Sequence, residues 1–209
     1  MDNIKFVEPR NIEKRSFEII QGELGELRLD PEKEAIIKRV IHTSADFDYL
    51  HNLCFTDNAV KKAKEALKNG ATIVTDTNMA LAGINKKAAA KYGIEVKCFM
   101  ADEDVAREAL ERNETRAAVS MERAAKIKGP VIIAIGNAPT ALIKLYELIK
   151  EGKFIPEVII GVPVGFVNVV EAKELIMSLD NLEYIVAKGR KGGSNVAAAI
   201  CNALLYNID

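Results

Sequence analysis

Val131-Ile132-Ile133-Ala134-Ile135-Gly136-Asn137-Ala138-Pro139-Thr140-Ala141-Leu142 decides the fold. Its short, β-branched apolar run reads as a strand buried on both faces. Glycine then breaks the run, and Pro139 opens a stretch that continues helically to Lys150. The same grammar recurs on either side. Ala71–Thr75, Ile94–Phe99, Val158–Val162 and Tyr184–Ala187 are short, β-branched and closed by turn formers, so they read as strands. Amphipathic stretches at Asp104–Arg112, Thr115–Lys126, Val169–Leu179 and Asn195–Leu205 separate or follow them. Alternation on this scale predicts an α/β fold, a mainly parallel sheet flanked by helices on both faces.

Ahead of this alternation lies an N-terminal helical elaboration. Ile12, Phe17, Ile20 and Leu24 fall near helical spacing, with Gly22 weakening the end. Asp30-Pro31 opens a second helix: Asp is a favoured N-cap, Pro suits the first helical position, and Glu32 and Glu34 favour the positive end of the dipole. This helix carries His42 near its end. A third follows Asp57 and stops at Gly70. No repeat, linker or low-complexity tract intervenes, so one domain over residues 1–209 is expected.

Composition narrows the function. Across 209 residues, 29 Lys plus Arg stand against 30 Asp plus Glu, a net charge of -1. That balance gives no general basic field for coating nucleic acid, and any anion binding must be local. Cys54, Cys98 and Cys201 are odd in number and never form CxxC, which fits a reducing cytoplasm better than a disulfide framework or zinc ribbon. The first residues, Met1 to Phe6, lack a signal-peptide core, and no apolar run reaches the ~18 residues of a membrane span. A soluble cytoplasmic protein is expected, with no nucleic-acid or membrane partner.

The usual motifs are missing. There is no GxGxxG, no GxxxxGK[ST], no HExxH and no GxSxG, and two histidines are too few for a multi-histidine metal centre. What remains is loops at the carboxyl ends of strands, where parallel sheets gather ligands. Gly136–Leu142, Gly161–Val167 and Gly189–Ser194 are three such junctions. The last joins flexible backbone to Arg190 and Lys191, with Lys188 alongside; an anion cradle and a glycine-rich turn with solvated charges both fit it.

His42 is the candidate proton carrier, because imidazole has a reference pKa of about 6.5; a structural histidine is the competing reading. His51, nine positions on at roughly 100° each, would face the other way on a continuous helix and reads as a surface residue. Asp46 could hold an imidazolium or cap the next helix. Arg116, at a helix start, could clamp a ligand or pair with Glu114. Asp76-Thr77-Asn78-Met79 follows a strand and could reach a ligand, though an Asp there is more often an ordinary helix cap; Cys98 reads as core, and Lys86, Lys87 and Lys91 as a solvated face.

Arg15-Ser16-Phe17, Arg39-Val40-Ile41-His42, Thr115-Arg116, Gly136–Leu142, Pro163-Val164-Gly165-Phe166-Val167 and Gly192-Gly193-Ser194 together resemble the precorrin-8X methylmutase family, also called cobalt-precorrin-8 methylmutase. GNAPTAL and PVGFV are the specific pieces. The resemblance implies a homodimeric α/β isomerase that moves a methyl group from C-11 to C-12 of a corrin precursor, giving hydrogenobyrinate or cobyrinate, with no organic cofactor and no protein-bound metal. It implies His42 as the catalytic residue. Arg15, Ser16, Thr43, Arg116, Asn137, Thr140 and Ser194, with backbone amides near Asn137 and Ser194, are suited in type to the substrate's carboxylates, and the resemblance puts Ser16 and Arg116 highest. Cobalt, if present, arrives within the substrate. A non-catalytic corrinoid carrier, handing its ligand to a neighbouring enzyme of the pathway, and a phosphosugar-type isomerase are the alternatives.

Overall fold

The computed structural model describes residues 6–208; Met1 to Lys5, within the leader considered above, and Asp209 lie outside them. In chain order the described elements are α1 (Ile12–Leu24), α2 (Pro31–Ser44), α3 (Tyr49–Asn52), β1 (Leu53–Phe55), α4 (Ala59–Lys68), β2 (Thr72–Thr75), α5 (Asn78–Gly83), α6 (Lys86–Ala90), β3 (Val96–Lys97), α7 (Glu103–Glu111), α8 (Arg116–Ala124), β4 (Val131–Ile135), α9 (Pro139–Lys150), β5 (Val158–Gly161), α10 (Val169–Met177), β6 (Tyr184–Ala187) and α11 (Ser194–Tyr206).

Every residue of β4 is buried, and the period of two sorts its side chains between two cores. Ile132 and Ala134 join Ile36, Val40, Leu67, Ile200 and Leu204 beneath α2, α4 and α11. Val131, Ile133 and Ile135 join Met121, Leu142, Leu145 and Ile176 beneath α8, α9 and α10. A strand covered on both sides has no use for polar alternation, which is why the sequence run is uniformly apolar.

The sheet has six strands in the order β1-β6-β5-β4-β2-β3. All neighbours are parallel except β1, which runs antiparallel to β6. From β2 the chain winds outward to β3, then returns to β4 and proceeds through β5 and β6 in the other direction. The winding therefore reverses between β2 and β4, and crevices at such reversals, beyond the carboxyl ends of strands, are where this architecture takes ligands.

Two expectations change. The apolar stretch Ile94–Phe99 pairs only over Val96–Lys97, because Ile73 and Val74 supply its only ladder partners at the sheet edge. The edge strand β1 was not expected at all. Three residues carry too little periodicity to signal a strand, and this one exists because β6 offers Leu53, Cys54 and Phe55 an antiparallel partner. The Lys188 amide, donating to Asn52 O at 2.7 Å, extends the pairing. The longer helices fall where the residue pattern put them, whereas the one-turn α3 and the short α6 had no counterpart in that pattern. The Asp30 carboxylate accepts from the Glu32 amide at 3.0 Å, with Pro31 in the first turn.

Candidate active site at the carboxyl edge of the sheet

His42 lies in the last turn of α2, half-buried, with the chain reversing just beyond it at Ala45, whose φ is 53°. Its Nδ1 is 2.9 Å from Ser16 Oγ, contributed by α1. The imidazole stacks on Phe17 with centroids 5.1 Å apart and 20° between planes. The Arg39 guanidinium lies 4.8 Å from the centre of the Phe17 ring and 5.3 Å from that of Tyr206, and it pairs with Glu13. These contacts restrict how the ring can turn, and with Nδ1 committed to Ser16, Nε2 is the nitrogen left for exchange with a ligand.

The histidine lines a shallow cleft of about 330 Å³ together with Arg39, Thr43, Gly83, Asn195 and Asn202. Ser16 and Arg15 also border a neighbouring groove of about 490 Å³ with Phe6, Ile12 and Ile19. Arg15 is held 2.9 Å from Glu18 on the outer face of α1. The helices α1 and α2 thus bring Ser16, His42 and Thr43 together, while Arg15 borders the neighbouring groove.

A second group gathers at the strand ends. Ser194 Oγ lies 2.8 Å from Thr77 Oγ1, and Thr115 Oγ1 donates to Thr140 Oγ1 at 3.1 Å. Thr115 also caps α8, accepting from the Ala118 amide at 3.1 Å. Arg116 and Asn137 are exposed. Arg116 makes no ion pair among the described residues, because Glu114 lies instead 3.6 Å from Lys144. The two groups meet at the start of α11: Ser194 belongs to the second, and Asn195 to the histidine cleft.

Several expectations are corrected here. The backbone amides of Gly136, Asn137 and Ala138 are not open to a ligand, because the carboxylate of Asp76 accepts from all three at 2.8, 2.8 and 2.6 Å. Asp76 is therefore no ordinary helix cap. It is fully buried, and Thr77 caps α5 in its place, accepting from the Ala80 amide at 3.0 Å. Burial pushes the Asp76 carboxyl up, and the three amides pull it back. Asp46 does not touch the imidazole. It accepts from the Asp48 amide at 2.9 Å and lies 2.6 Å from Lys191 Nζ, which holds its carboxyl below the usual range.

Lys191, a cation of the expected cradle, is occupied by Asp46 and Asp48 at 2.6 Å each, while Arg190 lies 5.5 Å from the Phe166 ring centre. Cys98 is half-buried rather than core, and Lys86 is not simply solvated, since its Nζ donates to Ile84 O at 3.1 Å and to Leu81 O. His51 is exposed, as expected.

Lys173 went unnoticed in the sequence. It is fully buried, and its Nζ donates at 2.8 Å to Gly189 O and to Lys191 O, pinning the loop that leads into Ser194. The signal was present: Val169, Ala172, Lys173 and Ile176 share the buried face of α10, so a lysine there must have internal partners. Gly192 and Gly136 permit this loop to pack. A Cβ on Gly192 would lie 2.1 Å from Val162 O, and one on Gly136 would lie 2.6 Å from Ser194 Cα. Among the described residues, no group of three or more His, Cys, Asp or Glu side chains could hold a metal.

Fold and site define a doubly wound α/β protein whose sheet presents, beyond its carboxyl edge, a braced imidazole and a set of hydroxyls. A sequence profile of the family described as CbiC, precorrin-8X methylmutase, matches residues 11–207. The cobalt-precorrin-8 methylmutase of Salmonella typhimurium is 45% identical over 210 residues, covering 96% of each chain. That of Priestia megaterium is 44% identical over 198 residues, covering 95% of this chain and 88% of its own. A crystal structure of precorrin-8x methyl mutase from Thermus thermophilus superimposes with a TM-score of 0.86 at 35% identity, covering 95% of this chain and 98% of that one. The chain belongs to the precorrin-8X methylmutase family. It is a methylmutase, an isomerase of cobalamin biosynthesis.

Proposed function

We propose that this chain moves the methyl group of precorrin-8 from C-11 to C-12 of the macrocycle, with His42 carrying the proton. The observation that supports this reading is the pairing of Ser16 Oγ with His42 Nδ1 at 2.9 Å, which frees Nε2 for the substrate. In a concerted 1,5-shift the bond from the methyl carbon to C-11 breaks as the bond to C-12 forms, so no protein nucleophile is needed. His42 protonates the ring nitrogen beside the migration terminus and drains electron density from the π-system. Rearrangement to the product tautomer then returns a proton to the imidazole. Substrate and product are isomers, so the enzyme ends with the proton count it began with. The Ser16 hydroxyl can donate to or accept from Nδ1, and so serves both protonation states.

The acetates and propionates of the substrate meet scattered donors: Arg15, Thr43, Arg116, Asn137, Thr140 and Ser194, with Ser16 shared between substrate and histidine. The relatives from S. typhimurium and P. megaterium are named for the cobalt-containing substrate, which favours that form here. The substrate carries its own metal, and no organic cofactor takes part. A cleft of about 330 Å³ covers only part of so large a disc. A second copy, docked on the apolar groove of α1, completes the cover around this single domain of residues 1–209. The enzyme works in the cytoplasm and passes its product to the next enzyme of the pathway. Among the described residues no helix is long and apolar enough to cross a membrane. A phosphosugar reading loses its footing, since Asp76 already fills the amide cluster a phosphate would use.

His42→Ala and His42→Asn test the role directly. Turnover of metal-free and cobalt-loaded substrate, followed by absorption, is expected to fall at least ~100-fold, while the folded state and product binding persist. Normal methyl transfer in either variant would remove His42 from the mechanism. A saturable spectral shift without isomerisation by the unaltered protein would instead mark a carrier.

A further inference from the structure

The reversal of winding between β2 and β4 opens the crevice that doubly wound sheets use for ligands. In this chain the crevice is filled from within. Asp76 Oδ1 accepts from the Gly136 amide, and Oδ2 accepts from those of Asn137 and Ala138. The carboxylate is fully buried and makes no ion pair among the described residues, so these amides are what compensates for its lost hydration. The adjacent Thr77 meets Ser194 at 2.8 Å. One dipeptide after β2 therefore holds the β4–α9 loop and the β6–α11 loop against each other.

We propose that Asp76 is a positioning residue for the methyl migration, its carboxylate acting as an internal anion that closes this crevice to the substrate's carboxylates and sets Asn137 and Thr140 towards the macrocycle. It touches no reacting atom and acts through the loop. The inference rests on the methylmutase reading of the site. It also explains how a fold suited to phosphate recognition handles a polycarboxylate without misplacing it: the amide cluster of Gly136 to Ala138 is already taken, and the substrate's acids must use side-chain donors farther out.

Amide hydrogen exchange on the unaltered protein is the first test. The amides of residues 136–138 should exchange as slowly as those of β4, and exchange at the rate of an open loop would overturn the proposal. Asp76→Asn keeps the volume but turns a donor towards backbone donors. Asp76→Ala leaves a hole the size of formate. Both variants should bind the corrinoid product about tenfold more weakly and raise KM more than they lower kcat. Formate should recover protection and binding in Asp76→Ala alone, a response that a general loss of structure would not give. Product affinity within twofold of normal in both variants, or variants that stay unfolded with and without formate, would overturn the positioning role. If the unaltered protein failed to bind the corrinoid at all, the methylmutase reading would fall, while exchange and formate protection would still report on the loop.

Discussion

Ser16 and His42 are 26 positions apart, and the bond between them is the contact on which the proposed chemistry turns. A hydroxyl on Nδ1 selects which nitrogen meets the ligand, and the Phe17 stack limits ring rotation. Ser16→Ala should therefore lower kcat about tenfold with little change in unfolding midpoint, and Ser16→Thr should recover much of the loss. Steady-state kinetics beside urea unfolding curves checks this. Equal losses in kcat and stability would instead mark Ser16 as a packing residue. His42 stood out in the sequence as a candidate because imidazole is scarce and well suited to proton transfer. Its partner did not, since Asp46 lay at tempting helical spacing while the real partner came from another helix. Phe17 and Arg39 lie in the Arg15-Ser16-Phe17 and Arg39-Val40-Ile41-His42 motifs, but nothing local showed that Phe17 would stack on the imidazole with Arg39 over its ring.

At the scale of elements, α10 carries the clearest conflict between local pattern and environment. Lys173 occupies its buried face, and burial lowers the ammonium from 10.5 to about 8. An unfolded lysine keeps its proton up to about 10.4. Between these values the unfolded chain binds more protons than the folded one, so stability rises with pH there: the cost of burying the ammonium is complete below about 8 and fades as pH climbs. The stability of the unaltered protein relative to Lys173→Met should accordingly increase from pH 7.5 to pH 10, by up to about 1.4 kcal/mol per pH unit within that interval. Urea unfolding at the two pH values measures it, and a flat or falling difference would show that the ammonium is not desolvated. The helices themselves were readable. α1 spans the residues their spacing marked, and α2 starts at its Asp-Pro signal. The shortest elements were less so: the strand expected over Ile94–Phe99 contracts to β3, and β1, α3 and α6 are too short to carry a period of their own.

For the whole molecule, the near-equality of acids and bases conceals local commitments: Lys191 is held by Asp46 and Asp48, and Arg15 by Glu18. These charges are settled within the chain, but part of the apolar surface is not. Phe6, Ile12 and Ile19 are 98%, 56% and 49% exposed around the groove beside Ser16. A patch of this kind favours association, and the homodimer proposed here should sediment as such at micromolar concentration. Ile12→Glu combined with Ile19→Glu should shift it to monomer and weaken corrinoid binding. A monomeric unaltered protein that turns over normally would remove the second copy from the site.

The sequence by itself determined the alternation of strands and helices, the burial of the central strands on two faces and the starts of the longer helices, and it singled out His42 as a candidate. These are local properties: periodicity, capping and side-chain chemistry are carried by neighbours along the chain. Only the tertiary structure decided that Asp76 fills the Gly136–Ala138 amides, that Thr77 meets Ser194, and that Ser16 holds His42. Such pairings depend on the order in which strands lie side by side and on which helix covers which face. Residues far apart in the chain become neighbours only once the sheet has formed, and no local spacing encodes that order.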